Sequence, residues 1–501
     1  MDRLEQDALK VLRLVRSVKN GFAPISRIPP ELLFLVTRYL DNDRTDKALI
    51  ALTHVCRGWR EVLTTFSSLW TRLDCANVEK TRVYLKRSKH SPLEVILRKY
   101  GVSRYRTDAF QLVIPHISRA GSLTLTGGGS LFQILTTHFS CPIPLLRNLD
   151  IDLVLATFPV LNCTLFNGDL SSLCKLRLSG VDPHLPWKNM SKLTSFALQR
   201  VPGNKISVTQ LLDLFENATF LSEIKLGSAP NSSDAPPSRV VPLPHLKSLT
   251  ILTDLQRSST LLNHLSIPPG AFLLLGFDLP GDESLLRTLL PKTSDNLQNI
   301  SCITSVYLDF VDENFVIRLN GPSGKLRLCG YRDLWTGTTP MIPDRVLLQS
   351  LDNFALSKTQ ELGIAMYESV ALRRGDTFAP HHILGAMGDL RTLSLNRCNN
   401  LPFILTLDPD QSPSKAVLCP KLESLVLYVK EQWLFHLSEL VTMAKARTLE
   451  GVKLQSIMLI SRDELALERE VSELREYVTR VEYNFGVIPP KWDTISDYEG
   501  E

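Results

Sequence analysis

No apolar run in the 501-residue chain approaches the roughly eighteen residues that a membrane-spanning helix needs. No CxxC pair occurs among the nine cysteines, at positions 56, 75, 141, 163, 174, 302, 329, 398 and 419, and their number is odd. Both facts argue against a disulfide framework and a zinc site; in a reducing compartment such cysteines read as small buried hydrophobes. The N-terminus lacks the uncharged core of a signal peptide, because Asp2, Arg3, Glu5, Asp7 and Lys10 interrupt it. The expectation is a cytoplasmic or nuclear protein, in which the five Asn-x-Ser/Thr sequons, at Asn162, Asn189, Asn217, Asn231 and Asn299, carry no meaning.

Catalytic signatures are missing too. There is no GxSxG, HExxH or GxGxxG. The GPSGK run at 321–325 lacks the glycine that a phosphate loop places five residues before its second glycine, where Leu319 stands, and the GGGS run at 127–130 has no lysine beside it. His381 and His382 are adjacent, so on a helix they point about 100° apart rather than at one metal. The sequence therefore predicts no enzyme, no catalytic residue, no metal and no cofactor.

What is present is leucine, at 88 of the 501 positions, within an ordinary globular balance of 44% hydrophobic and 22% charged residues. The net charge is +4, but Lys80–Arg106 holds nine Lys or Arg and one acid, Glu94. Three tyrosines, 84, 100 and 105, accompany them. A nucleic-acid patch has this composition. So does a solvated helix face beside a strand in which Val95 and Leu97 alternate inward.

Leu4, Ala8, Val11, Leu12, Val15 and Val18 recur at helical spacing, and Asn20-Gly21 ends that pattern. Residues 1–24 thus predict an amphipathic helix and linker, marginal alone and needing something to pack on. Ile28-Pro29-Pro30 is an extended lead-in, since a residue before proline is pushed out of the helical region. A helix then starts at Pro30 or Glu31, with Leu32, Leu35, Val36, Tyr39 and Leu40 as its apolar, inward face. A second runs from Thr45 to Val55 with Leu49 and Leu52 inward, and a third from Cys56 to Phe66 with Trp59 and Leu63 inward. Leu69-Trp70 closes a unit so small that one core leaves it marginal.

Those residues carry a resemblance. "ISRIPPELLFLVTRYL", "ALTHVCRGWREVL" and "SSLWTRLD" resemble an F-box at residues 25–75, and the lead-in is similar to F-box proteins of basidiomycete fungi. The resemblance implies docking on the Skp adaptor, and through it on a cullin, in an SCF (Skp–cullin–F-box) ubiquitin ligase. The rest of the chain then binds the protein substrate. Carried over by position, Ile28, Pro29, Leu32, Val55, Cys56, Trp59 and Trp70 are the adaptor-contacting or supporting residues. Because that adaptor is generally acidic, the Lys80–Arg106 excess would assist its approach. Two alternatives stay open: a Skp-bound structural or trafficking protein outside the ligase, and a nucleic-acid binder using the basic stretch.

From about residue 90 to 460 an LxxLxL pattern recurs. Its matches include Leu146-Leu149-Ile151, Leu173-Leu176-Leu178, Leu193-Phe196-Leu198, Leu221-Ile224-Leu226, Leu246-Leu249-Ile251 and Leu274-Phe277-Leu279, then Ile303-Val306-Leu308. Later ones are Leu390-Leu393-Leu395, Leu422-Leu425-Leu427 and Leu449-Val452-Leu454. Their spacing lies near that of leucine-rich repeats. The predicted fold class is α/β, an F-box followed by an irregular leucine-rich-repeat-like solenoid of parallel strands and covering helices, with a set of separate α/β domains as the alternative. The Asn or Cys that closes each repeat is mostly missing, with only Cys398 in place. Gly227–Pro244 and Gly330–Asp344 read as inserted loops. Ser461-Arg462-Asp463-Glu464 reads as a capping box that opens a final helix, and residues 461–501 read as that capping helix and a polar tail from Lys491.

Overall fold

In a computed structural model, the described residues are 2–40, 47–98, 105–154, 160–200, 206–227, 239–278, 296–311, 314–331, 351, 354–366, 380–396, 400–411, 417–429, 436–461 and 467–485. The chain forms two compact units, Met1–Val201 and Pro202–Glu501. The division falls inside the region that the sequence pattern presents as one array.

The first unit opens with four helices, α1 (Asp2–Phe22), α2 (Pro30–Leu40), α3 (Lys47–Val55) and α4 (Arg57–Thr65). Pro30 sits at the start of α2, where a missing N–H costs nothing. Cys56 caps α4, its Sγ accepting the Trp59 N–H at 3.4 Å. Leu33, Leu49 and Leu63 form the small shared core. A short turn, Ser67–Trp70, leads to strand β1 (Arg72–Leu73) and helix α5 (Val78–Ser88). Trp70 ties these together: its Nε1 donates to Leu63 O at 3.0 Å, and its ring meets Tyr84 of α5 edge-on, centroids 5.0 Å apart. The Arg87 guanidinium lies 4.2 Å from the same ring. The helical module is thus closed by α5, and residues 76–89 are part of its packing.

Parallel strands follow in chain order: β2 (Leu93–Arg98), β3 (Ala120–Gly127) and β4 (Asn148–Leu153). Beyond β5 (Val160–Thr164) come β6 (Lys175–Ser179), β7 (Asp182–His184) and β8 (Ser195–Gln199). The sheet runs β1-β2-β3-β4-β6-β8, every pairing parallel, while β5 and β7 make a separate two-stranded ribbon. Alternation sends Leu123 and Leu125, Leu149 and Ile151, and Leu176 and Leu178 to one buried face, level with one another. Gly180 lets neighbouring layers approach: with φ +69, a Cβ there would lie 2.0 Å from Leu153 O.

The second unit contains β9 (Glu223–Gly227), β10 (Val241–Pro242), β11 (Ser248–Leu252), β12 (Leu265–Ser266) and β13 (Phe272–Asp278). After them come β14 (Ser305–Val311), β15 (Asn314–Gly321), β16 (Gly324–Tyr331) and β17 (Glu361–Met366). Last are β18 (Thr392–Asn396), β19 (Ser424–Tyr428), β20 (Ser456–Ser461) and β21 (Arg480–Phe485). Its sheet is parallel from β9 to β11 to β13 and again from β14 through β17 to β21. Between those halves β14, β15 and β16 form an antiparallel meander, and β16 returns to lie parallel to β13. GPSGK is the tight turn of that meander. Gly321 pairs with Gly324, and a Cβ on Gly321 would stand 1.8 Å from Cys302 O, so this glycine serves close backbone packing.

Two repeats sit in a different register from the sequence reading. In β13 the inward residues are Leu273 and Leu275, level with Leu249 and Ile251, while Leu274 points to the other face. Leu449 is exposed, and the buried set is Leu454, Ile457 and Leu459. In a leucine-rich chain the three-residue pattern matches by chance, and only strand pairing decides between overlapping matches. Ser461 ends β20 rather than capping a helix; the helix Glu468–Tyr477 follows, and β21 extends the sheet beyond it.

Buried polar side chains take up backbone groups between layers. Arg447, wholly buried on the helix His436–Leu449, donates to Leu418 O and Cys419 O, each at 2.9 Å. Asn400 Nδ2 donates to Tyr428 O at 3.0 Å. Cys398, the one residue fitting the repeat-closing pattern, lies outside the described residues, as do most of 227–244 and 330–344.

Candidate docking site

Of the residues singled out for adaptor binding, Ile28, Pro29 and Leu32 lie on α2 and its lead-in, Val55 ends α3, Cys56 and Trp59 lie at the start of α4, and Trp70 ends the turn after it. The turn Pro24–Arg27 ends at Ile28, whose φ −62 and ψ 126 are extended. Pro29 O then accepts the N–H groups of Leu32 and Leu33, at 3.0 and 3.1 Å, and starts α2. On that helix Leu33 and Thr37 face the core, and Thr37 Oγ1 donates to Leu33 O at 2.8 Å. Leu32, Leu35, Val36 and Tyr39, at i, i+3, i+4 and i+7, are 51%, 46%, 45% and 77% exposed. The apolar stripe expected to face inward therefore faces water. α2 is apolar on both sides, so it can seat Leu33 and still present this second face. Ile25, Ile50 and Val55 add exposed apolar surface on the neighbouring segments.

The seven residues divide by burial. Pro29, Leu32 and Val55 are exposed; Ile28, Cys56 and Trp59 are half-buried. Trp70 is 1% exposed and spends its N–H on Leu63 O, so it supports the module and offers nothing to a partner. Sequence periodicity did not separate Leu35, Val36 and Tyr39 from a core face, because a docking stripe and a core stripe share one spacing.

In its described part the basic stretch is α5 and β2, with Val95 and Leu97 buried, and the start of the helix Tyr105–Gln111; residues 99–104 lie outside the described residues. Lys80 donates to Asp74 at 2.7 Å, and Arg82 pairs with Glu79 at 2.8 Å. With Arg87 on Trp70, three of the basic groups are engaged within the unit.

The sheet faces opposite the apolar layer carry ion pairs. In the first unit Asp150 and Asp152 stand two apart on β4, with Arg177 3.9 Å from Asp150 and Arg200 paired to Asp152. Burial pushes the Asp150 carboxyl up, Arg177 opposes this, and Asp152 adds to it. In the second unit Asp309 and Arg318 form a 2.8 Å pair with side chains 7% and 15% exposed. Burial raises the Asp309 carboxyl against the opposing pull of Arg318 and Arg327. Burial also raises the Tyr307 phenol, with Glu361 adding to the effect.

His381 and His382 have ring centroids 4.1 Å apart, but among the described residues no group of three or more His, Cys, Asp or Glu is placed to hold a metal. No described helix is long and apolar enough to cross a membrane. A family model described as F-box-like matches residues 25–76. No curated protein matches the sequence. The chain therefore carries an F-box-like domain, and domains of this kind bind Skp adaptors.

Proposed function

We propose that the protein is the substrate-recognition subunit of an SCF ubiquitin ligase. One observation carries the reading: within the F-box-like segment, Leu32, Leu35, Val36 and Tyr39 form an exposed apolar stripe. Apolar surface of this kind marks a protein-binding site, and a partner groove removes it from water. Ile28, Pro29, Leu32 and Val55, joined by Leu35, Val36 and Tyr39, are the proposed adaptor contacts. Cys56, Trp59 and Trp70 hold that surface from behind. The strand succession is read as irregular and leucine-rich-repeat-like, and in each unit the sheet face opposite the apolar layer is the proposed surface for a protein substrate. Ubiquitin transfer itself is assigned to the other subunits.

The test is co-expression of the tagged full chain with a Skp adaptor and a cullin. The proposal expects the cullin to co-purify only when the adaptor is present. Adaptor without cullin would move the protein to a structural or trafficking role, and recovery of neither would overturn adaptor docking.

A further inference from the structure

The helix α1 lies outside the F-box-like segment and exposes apolar side chains along its length. Leu4, Val11, Val15, Val18 and Phe22 are between 56% and 81% exposed. With Ala8 they are spaced 4, 3, 4, 3 and 4 residues apart, the unbroken seam of a coiled coil. Charge is segregated along the same helix. Asp2, Glu5 and Asp7 lie in its first third with a single base, Arg3; Lys10, Arg13, Arg16 and Lys19 follow with no acid among them.

We propose that α1 pairs antiparallel with α1 of a second copy of this chain. In that orientation the seam forms the layers Leu4 on Phe22, Ala8 on Val18 and Val11 on Val15, each occurring twice about a two-fold axis. Large meets large at the ends, and small meets larger between. Beside the seam, Glu5 of one copy lies next to Lys19 of the other, while Leu12 and Leu14 each meet their own counterpart near the axis. The acidic third covers the basic third, and the two helix dipoles oppose. A parallel pair would place acid beside acid and set Lys19 beside Leu14. The contact is isologous, so it closes at two copies. It does not depend on the adaptor reading, since α1 is outside residues 25–76.

Sedimentation equilibrium of the full chain tests this over a range of concentrations. The wild type is expected to show a concentration-dependent monomer–dimer equilibrium. Val11→Asp with Val15→Asp should leave a monomer with unchanged melting, since both side chains are exposed and outside the core. Glu5→Lys should weaken the dimer several-fold, and adding Lys19→Glu should restore it, because the pair is then reversed in both places. A wild type that is monomeric throughout overturns the proposal, as does a dimer indifferent to Val11→Asp with Val15→Asp. A Glu5→Lys, Lys19→Glu chain that dimerises no better than Glu5→Lys overturns the antiparallel register. A monomer that sediments with phosphatidylserine vesicles, or that needs Val11 and Val15 for adaptor binding, would assign α1 to those surfaces instead.

Discussion

Arg447 shows how one buried side chain can satisfy several backbone carbonyls. Its guanidinium is wholly buried, burial lowers its pKa, and its hydrogen-bond partners are backbone carbonyls. Arg447→Met keeps much of the volume but strands Leu418 O and Cys419 O, so a loss of about 1–3 kcal/mol is expected in urea melts. His436, on the same helix, is held below its ordinary pKa by burial, against a weaker opposing pull from Glu439. It therefore folds neutral while the unfolded chain binds a proton more readily. Its contribution is full above pH 6.5, the ordinary histidine value, and is lost as the pH falls below it. His436→Gln should flatten that part of the melting-versus-pH curve. The cysteines separate by the same physics. Burial pushes the Cys75 thiol up to about 12 and Cys419 to about 11. Cys141, which the sequence reading grouped with buried cysteines, is exposed. Iodoacetamide should label Cys141 first and Cys75 and Cys419 only on unfolding, as peptide mass analysis would report.

At the scale of elements, strands were the most legible part of the sequence. Leu393 and Leu395, read as mid-strand, are buried in β18 between β17 and β19. Leu393→Ala should cost about 2–5 kcal/mol as a core truncation. Wild-type melting there would contradict its place in the layer. Less legible were the elements whose partners come from elsewhere. The β14–β16 meander reverses direction, yet its residues alternate as those of the parallel strands do. The face of α2 was ambiguous because both sides are apolar, and tertiary packing of Leu33 and Thr37 made the choice. The extended lead-in to α2 was legible through Pro29-Pro30, which fixes an extended backbone. Replacing Ile28 and Pro29 by Asp should leave folding intact: Ile28 is half-buried, and Asp at position 29 is a favourable helix cap. The expected outcome is lost adaptor binding with an unchanged circular-dichroism spectrum.

Across the whole molecule, the F-box-like helices and the first parallel strands form one compact unit, sealed where Trp70 meets Tyr84 of α5. A fragment beginning at residue 90 would lack α5 and leave β2 without β1. A fragment of residues 202–501 keeps its own sheet and buried layer and should unfold cooperatively on its own. The outward stripe of α2 is the proposed seat of the adaptor. Titration calorimetry of the purified Skp adaptor into the full chain, wild type against Leu35→Asp with Val36→Asp, tests it most directly. Both side chains are nearly half exposed, so melting should shift little. Binding is expected for the wild type and none for the double variant. Equal affinity in both would place the docking surface elsewhere.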